Sequence, residues 1–171
     1  MLSIFLLMFK YTDASDIYSK YSKEYKRHSR GAVILAPPAS GKTTFIRGVS
    51  NLNKEWIDSD DLFADLGADW HYRENEGDNM RLNYTRCDYL HSQSKSYGFR
   101  ILGCLFYDYN PDAIVILPIE LHNKYLESRP DLNYNVVMHV RRALIHKSKQ
   151  ENIPLFDNIH DAVDYISVVL D

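Results

Sequence analysis

A short apolar segment followed by a loop that carries Gly-Lys-Thr constrains the fold of this chain more than any other feature. Residues 32–35 read Ala-Val-Ile-Leu, an uninterrupted apolar run typical of a strand buried on both faces. Residues 36–44 read Ala-Pro-Pro-Ala-Ser-Gly-Lys-Thr-Thr, and we call them the 36–44 loop. Phe45, Ile46 and Val49 then recur with helical spacing. The pattern predicts a buried strand, a tight loop and a helix in direct succession.

The residue types of the 36–44 loop are those of a phosphate-binding P-loop. Gly41 lets the backbone approach an anion closely, and backbone amides at a helix N-terminus can point at a phosphate. The candidate phosphate-binding residues are Ala39, Ser40, Gly41, Lys42, Thr43 and Thr44. Lys42 can neutralise phosphate oxygens, and the Thr43 hydroxyl can ligate a Mg²⁺ ion bound to the same phosphates. The motif departs from the usual glycine at its first position, where Ala36 stands.

A second group of candidates follows the short apolar segment at residues 55–57. It reads Asp58-Ser59-Asp60-Asp61. Carboxylates at the carboxyl end of a strand in an α/β sheet point into the crevice where ligands bind. The same residue types also favour the start of a helix, with Asp60 or Asp61 as the cap, so both interpretations stay open here.

The rest of the chain alternates apolar runs with amphipathic segments. We predict helices over residues 13–30, 42–51, 61–66, 80–97, 120–128, 134–150 and 159–170, and strands over residues 31–35, 55–57, 99–107, 113–117 and 153–156. Tyrosines at helical spacing in the first helix predict a packing face rather than a stacking surface. Alternating strands and helices indicate a three-layer α/β/α fold around a parallel five-stranded sheet, with strand order 2-3-1-4-5.

Composition restricts the class of protein. At 171 residues with 45% hydrophobic residues, the chain fits one folded unit, and its net charge of −3 argues against a broad nucleic-acid-coating surface. Cys87 and Cys104 lack metal-ligand spacing and indicate a reducing, cytoplasmic compartment. The apolar residues 1–9 are too short for a membrane span, so we interpret them as an extra strand or a packed arm and expect no membrane partner.

With the 36–44 loop, the Asp58 to Asp61 segment and an arginine at a helix break, Arg129, the chain resembles the P-loop kinase superfamily of small phosphotransferases. It looks nearest to the branch that contains shikimate kinase, polynucleotide 5′-kinase, zeta toxins and nucleoside or nucleotide kinases. The resemblance implies a P-loop NTPase fold for residues 31–171, with a lid at about 121–142. Residues 1–30, an N-terminal arm and an amphipathic helix, lie outside it.

The resemblance also implies an activity, the transfer of the γ-phosphate of Mg-ATP to a nucleoside, nucleotide or polynucleotide 5′-hydroxyl. ATP and Mg²⁺ are then the cofactors, with a small molecule or a nucleic-acid end as the acceptor. Lys42 would act on the phosphates, Asp58 would join Thr43 at the Mg²⁺ ion, and Asp60 would be the base at the acceptor. Asp61 could exchange roles with Asp60.

Further site residues follow from the same resemblance. Arg129 is the first choice for a catalytic lid arginine, with Arg141 and Arg142 as the others. Asn158 lies in a segment that resembles the loop bordering adenine, although it is also a good helix cap. The acceptor-binding region would contain Trp70, His71, Tyr72, Arg73, Arg81 and Arg86.

Two other functions compete with a kinase. A P-loop NTPase that drives a partner would need an acid pair after the third strand, where Asp108 is the one nearby acid, so Mg²⁺ would rest on Asp58 instead. A non-enzymatic nucleotide-binding protein would not need Lys42, Thr43 and the acids together. The kinase is therefore the leading hypothesis, with the acceptor and the oligomeric state unassigned.

Overall fold

The computed structural model describes residues 14–65 and 78–170. In chain order the elements are α1 (Ala14–Glu24), β1 (Ala32–Leu35), α2 (Lys42–Arg47), a 3₁₀ turn (Val49–Asn51), β2 (Trp56–Asp58), α3 (Ser59–Asp65), α4 (Asp78–Ser96), β3 (Arg100–Gly103), β4 (Ala113–Val115), α5 (Ile119–Glu127), α6 (Tyr134–Glu151), β5 (Leu155–Phe156) and α7 (Ile159–Leu170). Helices separate the strands after α1 except between β3 and β4, which follow one another in the chain.

The five strands form one parallel sheet in the order β2-β3-β1-β4-β5, which confirms the predicted order. The register aligns the carboxyl ends of β2, β3 and β1. Leu35 pairs with Gly103, and Asp58 pairs with Leu102. The start of the 36–44 loop and the Asp58 carboxylate therefore lie on either side of β3, at the same edge of the sheet.

Helices cover both faces of the sheet, because successive residues of β1 point to opposite faces. Val33 and Leu35 belong to one core cluster, with side chains from α1, α3, α4 and α6. Ala32 and Ile34 belong to a second cluster, with side chains from α2 and α7. All four strand residues are fully buried, as expected for the central strand of a three-layer α/β/α fold.

Helix α1 packs on the first of these clusters through its tyrosines. Tyr18 and Tyr21 are 1% and 4% exposed, and the Tyr18 ring stacks on Tyr97 with centroids 4.2 Å apart. The Tyr21 hydroxyl donates a hydrogen bond to Asp65 Oδ2 at 2.7 Å. The predicted packing role of the tyrosine face is confirmed, whereas the predicted strand or arm at residues 1–9 lies outside the described residues.

Helix α1 ends at Glu24, six residues before the predicted end at 30. The chain leaves the helix because its backbone amides find partners in other loops. Lys26 N donates to Lys54 O and His28 N donates to Gly98 O, both at 2.9 Å. No glycine or proline precedes Gly31 in this segment to mark the end in the sequence.

Strand β3 also ends early, at Gly103 rather than at residue 107. Its neighbour β1 ends at Leu35 and turns into the 36–44 loop after the bond from Ala36 N to Gly103 O, at 2.9 Å. No strand of the described residues then pairs with residues 104–107. The apolar run continues because Cys104, Leu105 and Phe106 pack on the core from a loop.

The first helix after the 36–44 loop is shorter than predicted as well. Helix α2 ends at Arg47, and Gly48 leads into the 3₁₀ turn. Asn51 then joins this turn to β2, since its side chain accepts from Trp56 N at 2.9 Å and donates to Ile46 O at 3.2 Å. None of the helices in the described ranges is long and apolar enough to cross a membrane.

Candidate functional site

The 36–44 loop lies at the carboxyl end of the central strand and leads directly into α2, which confirms the predicted strand, loop and helix. Two residues of the loop have left-handed backbone angles, Ala39 with φ 60° and Gly41 with φ 86°. Gly41 is the N-cap of α2, and its carbonyl accepts from Phe45 N at 2.9 Å. The loop thus reverses direction just before the helix begins.

The Lys42 side chain folds back into this loop. It is 8% exposed, and its Nζ donates to Ala36 O at 2.9 Å and to Pro37 O at 3.0 Å. An ammonium group has three donors, so these two bonds leave one for a further acceptor. Ser40 lies in the same loop with its hydroxyl buried and without a hydrogen-bond partner among the described residues. An anion in the loop would satisfy both groups.

The Thr43 hydroxyl lies beside the Asp58 carboxylate, as the proposed Mg²⁺ ligation requires. Thr43 Oγ1 is 3.5 Å from Asp58 Oδ2. The other oxygen of the carboxylate, Oδ1, accepts from Asp60 N at 3.1 Å. Since α3 begins at Ser59, Asp58 itself caps this helix. The predicted cap at Asp60 or Asp61 is therefore wrong, because both lie within the first turn.

The environment of Asp58 opposes its ionisation. Burial raises the pKa of Asp58, and the nearby Asp60 carboxylate raises it further, while Lys42 and the hydrogen bonds from Asp60 N and Thr43 act in the opposite direction. Burial likewise raises the pKa of Asp61. A divalent cation would relieve this cost by neutralising the carboxylates. No group of three or more His, Cys, Asp or Glu residues within 14–65 and 78–170 forms a metal cage, so a cation here would need ligands from outside the protein.

Asp60 is exposed in the first turn of α3, two residues beyond Asp58. It lies at the same sheet edge as Thr43 and Asp58, and its side chain is open to solvent. The structure therefore brings together the three predicted positions Thr43, Asp58 and Asp60.

Arg129 is a predicted site residue that lies apart from the 36–44 loop. It lies in the exposed link between α5 and α6, where its Nε and Nη2 donate to the Asp131 carboxylate at 2.9 and 2.8 Å. This pairing raises the pKa of Arg129 and lowers the pKa of Asp131. In the described part of the chain, no contact joins Arg129 to the 36–44 loop, and a catalytic role would require the link to move.

Arg141 reaches the 36–44 loop through a histidine that sequence reasoning missed. His122 of α5 is fully buried, and its Nε2 lies 2.8 Å from Pro38 O. Arg141 of α6 places Nη1 2.7 Å from Leu117 O and 3.3 Å from His122 Nδ1. Burial lowers the pKa of His122, and the charges of Arg141 and Lys42 lower it further. No local pattern marks this contact, because His122 and Pro38 are 84 residues apart.

Asn158 caps α7. Its Oδ1 accepts from Asp161 N at 2.9 Å, and its Nδ2 donates to Asp161 Oδ2 at 2.8 Å. The first turn of α7 packs against α2, since the His160 and Phe45 rings are 5.3 Å apart. The capping interpretation is confirmed, and the role beside adenine stays a prediction.

The acid nearest to the end of β3 is held away from the Thr43 and Asp58 pair. Asp108 lies in the loop beyond Gly103, where its Oδ1 pairs with Lys147 Nζ at 3.1 Å. The residue directly after β3 is Cys104, a buried free thiol. Asp58 is thus the carboxylate that the structure offers to a cation beside Thr43.

Part of the predicted acceptor region lies outside the described residues. This holds for Trp70, His71, Tyr72 and Arg73, and for the side chain of Arg81. Arg86 is half-buried on α4.

Comparisons of the chain with protein-family models, with curated proteins and with solved structures find no match.

Proposed function

We propose that this protein is an ATP-dependent phosphotransferase that moves the γ-phosphate of Mg-ATP to a hydroxyl of a nucleoside, a nucleotide or a polynucleotide 5′ end. The observation that carries the proposal is the 3.5 Å approach of Thr43 Oγ1 to Asp58 Oδ2 beside a loop that buries the Lys42 ammonium. These groups come from two strand ends separated by β3. The candidate phosphate-binding loop and the Asp58 carboxylate, which could bind a cation, therefore lie at the same edge of the sheet.

The residues of the 36–44 loop fit a nucleotide phosphate. The Ser40 hydroxyl is buried without a partner among the described residues, and Lys42 has a donor to spare beyond its two carbonyl bonds. The other candidate contacts are the backbone amides of Ala39, Gly41, Thr43 and Thr44. Lys42 would exchange its bonds to Ala36 O and Pro37 O for phosphate oxygens. In that exchange the carbonyls of Ala36 and Pro37 would lose their hydrogen bonds from Lys42 when the nucleotide binds.

Thr43 and Asp58 fit a Mg²⁺ ion as its ligands from the chain, directly or through water. When bound, Mg²⁺ neutralises charge on the phosphate oxygens. A cation would also stabilise the charged form of Asp58, which burial and the nearby Asp60 carboxylate penalise. Its bond to Asp60 N fixes the direction in which the carboxylate points.

Asp60 would orient the acceptor hydroxyl. Its carboxylate is exposed at the start of α3 and follows Asp58 by two residues. As the acceptor oxygen forms its bond to the γ-phosphorus, Asp60 takes the hydroxyl proton, and the bond from phosphorus to the β,γ-bridging oxygen breaks to release ADP. A base suits hydroxyl acceptors better than phosphate acceptors, which need little proton removal.

The loop after β3 favours transfer over simple hydrolysis. An NTPase of the kind considered above would need an acid pair at that strand end, where Gly103 and Cys104 stand and where Asp108 pairs with Lys147. Because Asp108 is paired with Lys147, no acid in the described loop after β3 is free to polarise a water molecule.

A transfer screen with γ-labelled ATP and Mg²⁺ tests the proposal. The acceptors are nucleosides, nucleoside monophosphates, DNA and RNA with 5′-hydroxyl ends, and small sugars, with free phosphate measured in parallel. Label on one acceptor class, lost in Lys42→Ala and kept in the exposed control Lys149→Ala, is the expected result. Free phosphate alone would favour the NTPase, and ATP binding without turnover would favour a nucleotide-binding protein.

A further inference from the structure

The outer part of the 36–44 loop is held by side chains rather than by its own backbone. Pro37 and Pro38 have no N–H group, so they cannot donate to neighbouring carbonyls. Instead, the carbonyl groups of the three successive residues 36–38 each accept a hydrogen bond from a side chain. Those of Ala36 and Pro37 accept from Lys42, and that of Pro38 accepts from His122.

The hydrogen bonds around His122 define its tautomer. The Pro38 carbonyl can only accept, so Nε2 carries the proton and donates to it at 2.8 Å. The Arg141 guanidinium can only donate, so Nδ1 is the acceptor, at 3.3 Å from Nη1. Both ring nitrogens of the fully buried, neutral imidazole are therefore satisfied. Arg141 is itself fixed by its bond to Leu117 O at 2.7 Å.

This arrangement fixes the peptide plane between Pro38 and Ala39. In a trans peptide the carbonyl and the following N–H point in opposite directions. With the Pro38 carbonyl directed at His122, the Ala39 amide must point away from α5. Ala39 then adopts its left-handed conformation, with φ 60°. A left-handed alanine is strained, so the orientation needs support from outside the loop.

We propose that His122, held by Arg141, is a positioning residue that keeps the Ala39 amide of the 36–44 loop oriented for phosphate binding. The inference rests on the proposed function, because it assigns the loop to a nucleotide phosphate. Lys42 holds two of the outer carbonyls only until its ammonium turns to the phosphates. From that point His122 is the side chain that still holds this part of the loop, so its bond matters more with nucleotide bound than without.

The test compares Mg-ATP affinity with the stability of the nucleotide-free protein. The variants are His122→Leu, which removes both hydrogen bonds, and His122→Gln, which keeps a donor near the position of Nε2. His146→Leu makes the first change at an exposed site on α6 and serves as the control. Dissociation constants for Mg-ATP come from titration calorimetry, and stability comes from thermal unfolding without nucleotide.

We expect His122→Leu to weaken Mg-ATP binding about tenfold, the scale of one lost buried hydrogen bond. His122→Gln should recover most of the affinity, and His146→Leu should match the wild type. Equal affinity in His122→Leu and the wild type would overturn the inference, as would a failure of His122→Gln to recover any affinity although it folds. If His122→Leu does not fold, Arg141→Met replaces it, with the same expected loss and the same refuting result. A wild-type protein that binds no Mg-ATP would instead contradict the proposed function itself.

Discussion

On the proposed function, a substitution at Asp60 should separate nucleotide binding from phosphate transfer. Its carboxylate is exposed and makes no bond to the 36–44 loop among the described residues, whereas its backbone amide supports Asp58. Asp60→Asn should therefore leave Mg-ATP affinity unchanged and slow transfer by about 10²- to 10⁴-fold, since the proton acceptor is lost. Calorimetry and the labelled transfer assay measure the two effects.

An exposed acid on a different helix provides the control for this variant. Asp164→Asn, an exposed substitution on α7, should change neither quantity. Full transfer activity in Asp60→Asn would show that the base is assigned wrongly. Asp61→Asn would then be the next variant, because Asp61 follows Asp60 in the same helical turn.

Asp58 is expected to trade stability for function. Its pKa is raised by burial in the folded chain, so the folded state binds a proton more tightly than the unfolded state does. Such a carboxyl group costs stability once the pH exceeds its ordinary value of 3.8. Asp58→Asn should thus raise the free energy of unfolding of the nucleotide-free protein at pH 7. The gain should shrink as the pH falls toward 3.8.

Denaturant unfolding of both proteins across this pH range measures the gain. The amide oxygen of Asn can still accept from Asp60 N, so the helix cap is preserved. The same variant should weaken the Mg²⁺-dependent part of ATP binding. A variant less stable than the wild type at pH 7 would show that the interactions of the charged carboxylate with Thr43 and Lys42 outweigh the cost of burial.

At the scale of single elements, the end of α4 depends on a glycine that has no room for a side chain. Gly98 follows the helix with φ 84°, and a Cβ atom there would lie 2.4 Å from His28 O. Gly41 has nearly the same angle, φ 86°, and within residues 14–65 and 78–170 no atom beyond its chain neighbours lies within 4 Å of its Cβ position. Alanine substitutions at Gly41 and Gly98 therefore impose similar backbone strain, and only the one at Gly98 adds steric overlap.

Gly41→Ala should cost about 1–2 kcal/mol, the strain of a left-handed alanine. Gly98→Ala should cost about 2–5 kcal/mol, because the backbone of residue 28 must also move. Denaturant unfolding of both variants measures the difference. Equal losses would mean that the α4 end and the segment after α1 separate at little cost.

The elements of this fold could be predicted from the sequence more reliably than their ends. Apolar runs indicate which segments enter the sheet, and the distribution of helices between them indicates that the sheet is parallel. The end of β3 at Gly103 depends instead on where β1 stops. The end of α1 depends on the Lys54 and Gly98 carbonyls, which are distant in sequence. These partners lie far away in the sequence, so no local pattern could predict where β3 and α1 end.

The same distinction holds for the candidate site. The positions of Lys42, Thr43 and Asp58 could be predicted because each belongs to a local sequence pattern, the 36–44 loop or the acidic segment beside a short apolar run. His122 could not, because its contact with Pro38 spans 84 residues and depends on how α5 packs. Arg129 lies at a helix break, which is a local feature of the sequence. Its ion-pair partner Asp131 is only two residues away, so the sequence also contained the alternative that Arg129 pairs within the link.

At the scale of the whole molecule, α1 is part of the same core as the sheet. Tyr18 lies in one core cluster with Leu35, Ile101 and Leu144, which come from β1, β3 and α6. Trp56 belongs to the cluster on the opposite face. A loss of packing at Tyr18 should therefore destabilise both faces together, provided that the domain unfolds as one cooperative unit.

Tyr18→Ala should lower the free energy of unfolding by about 3–5 kcal/mol, the usual cost of removing a buried aromatic ring. The chain has two tryptophans, so a Trp70→Phe background leaves Trp56 as the fluorescent reporter on the far face. Its transition and the helical circular dichroism should shift to the same lower denaturant concentration. Tyr134→Ala, at a tyrosine that is 52% exposed, should shift neither. If the helical signal shifted while Trp56 kept its wild-type midpoint, α1 would unfold separately and the sheet would be stable without it.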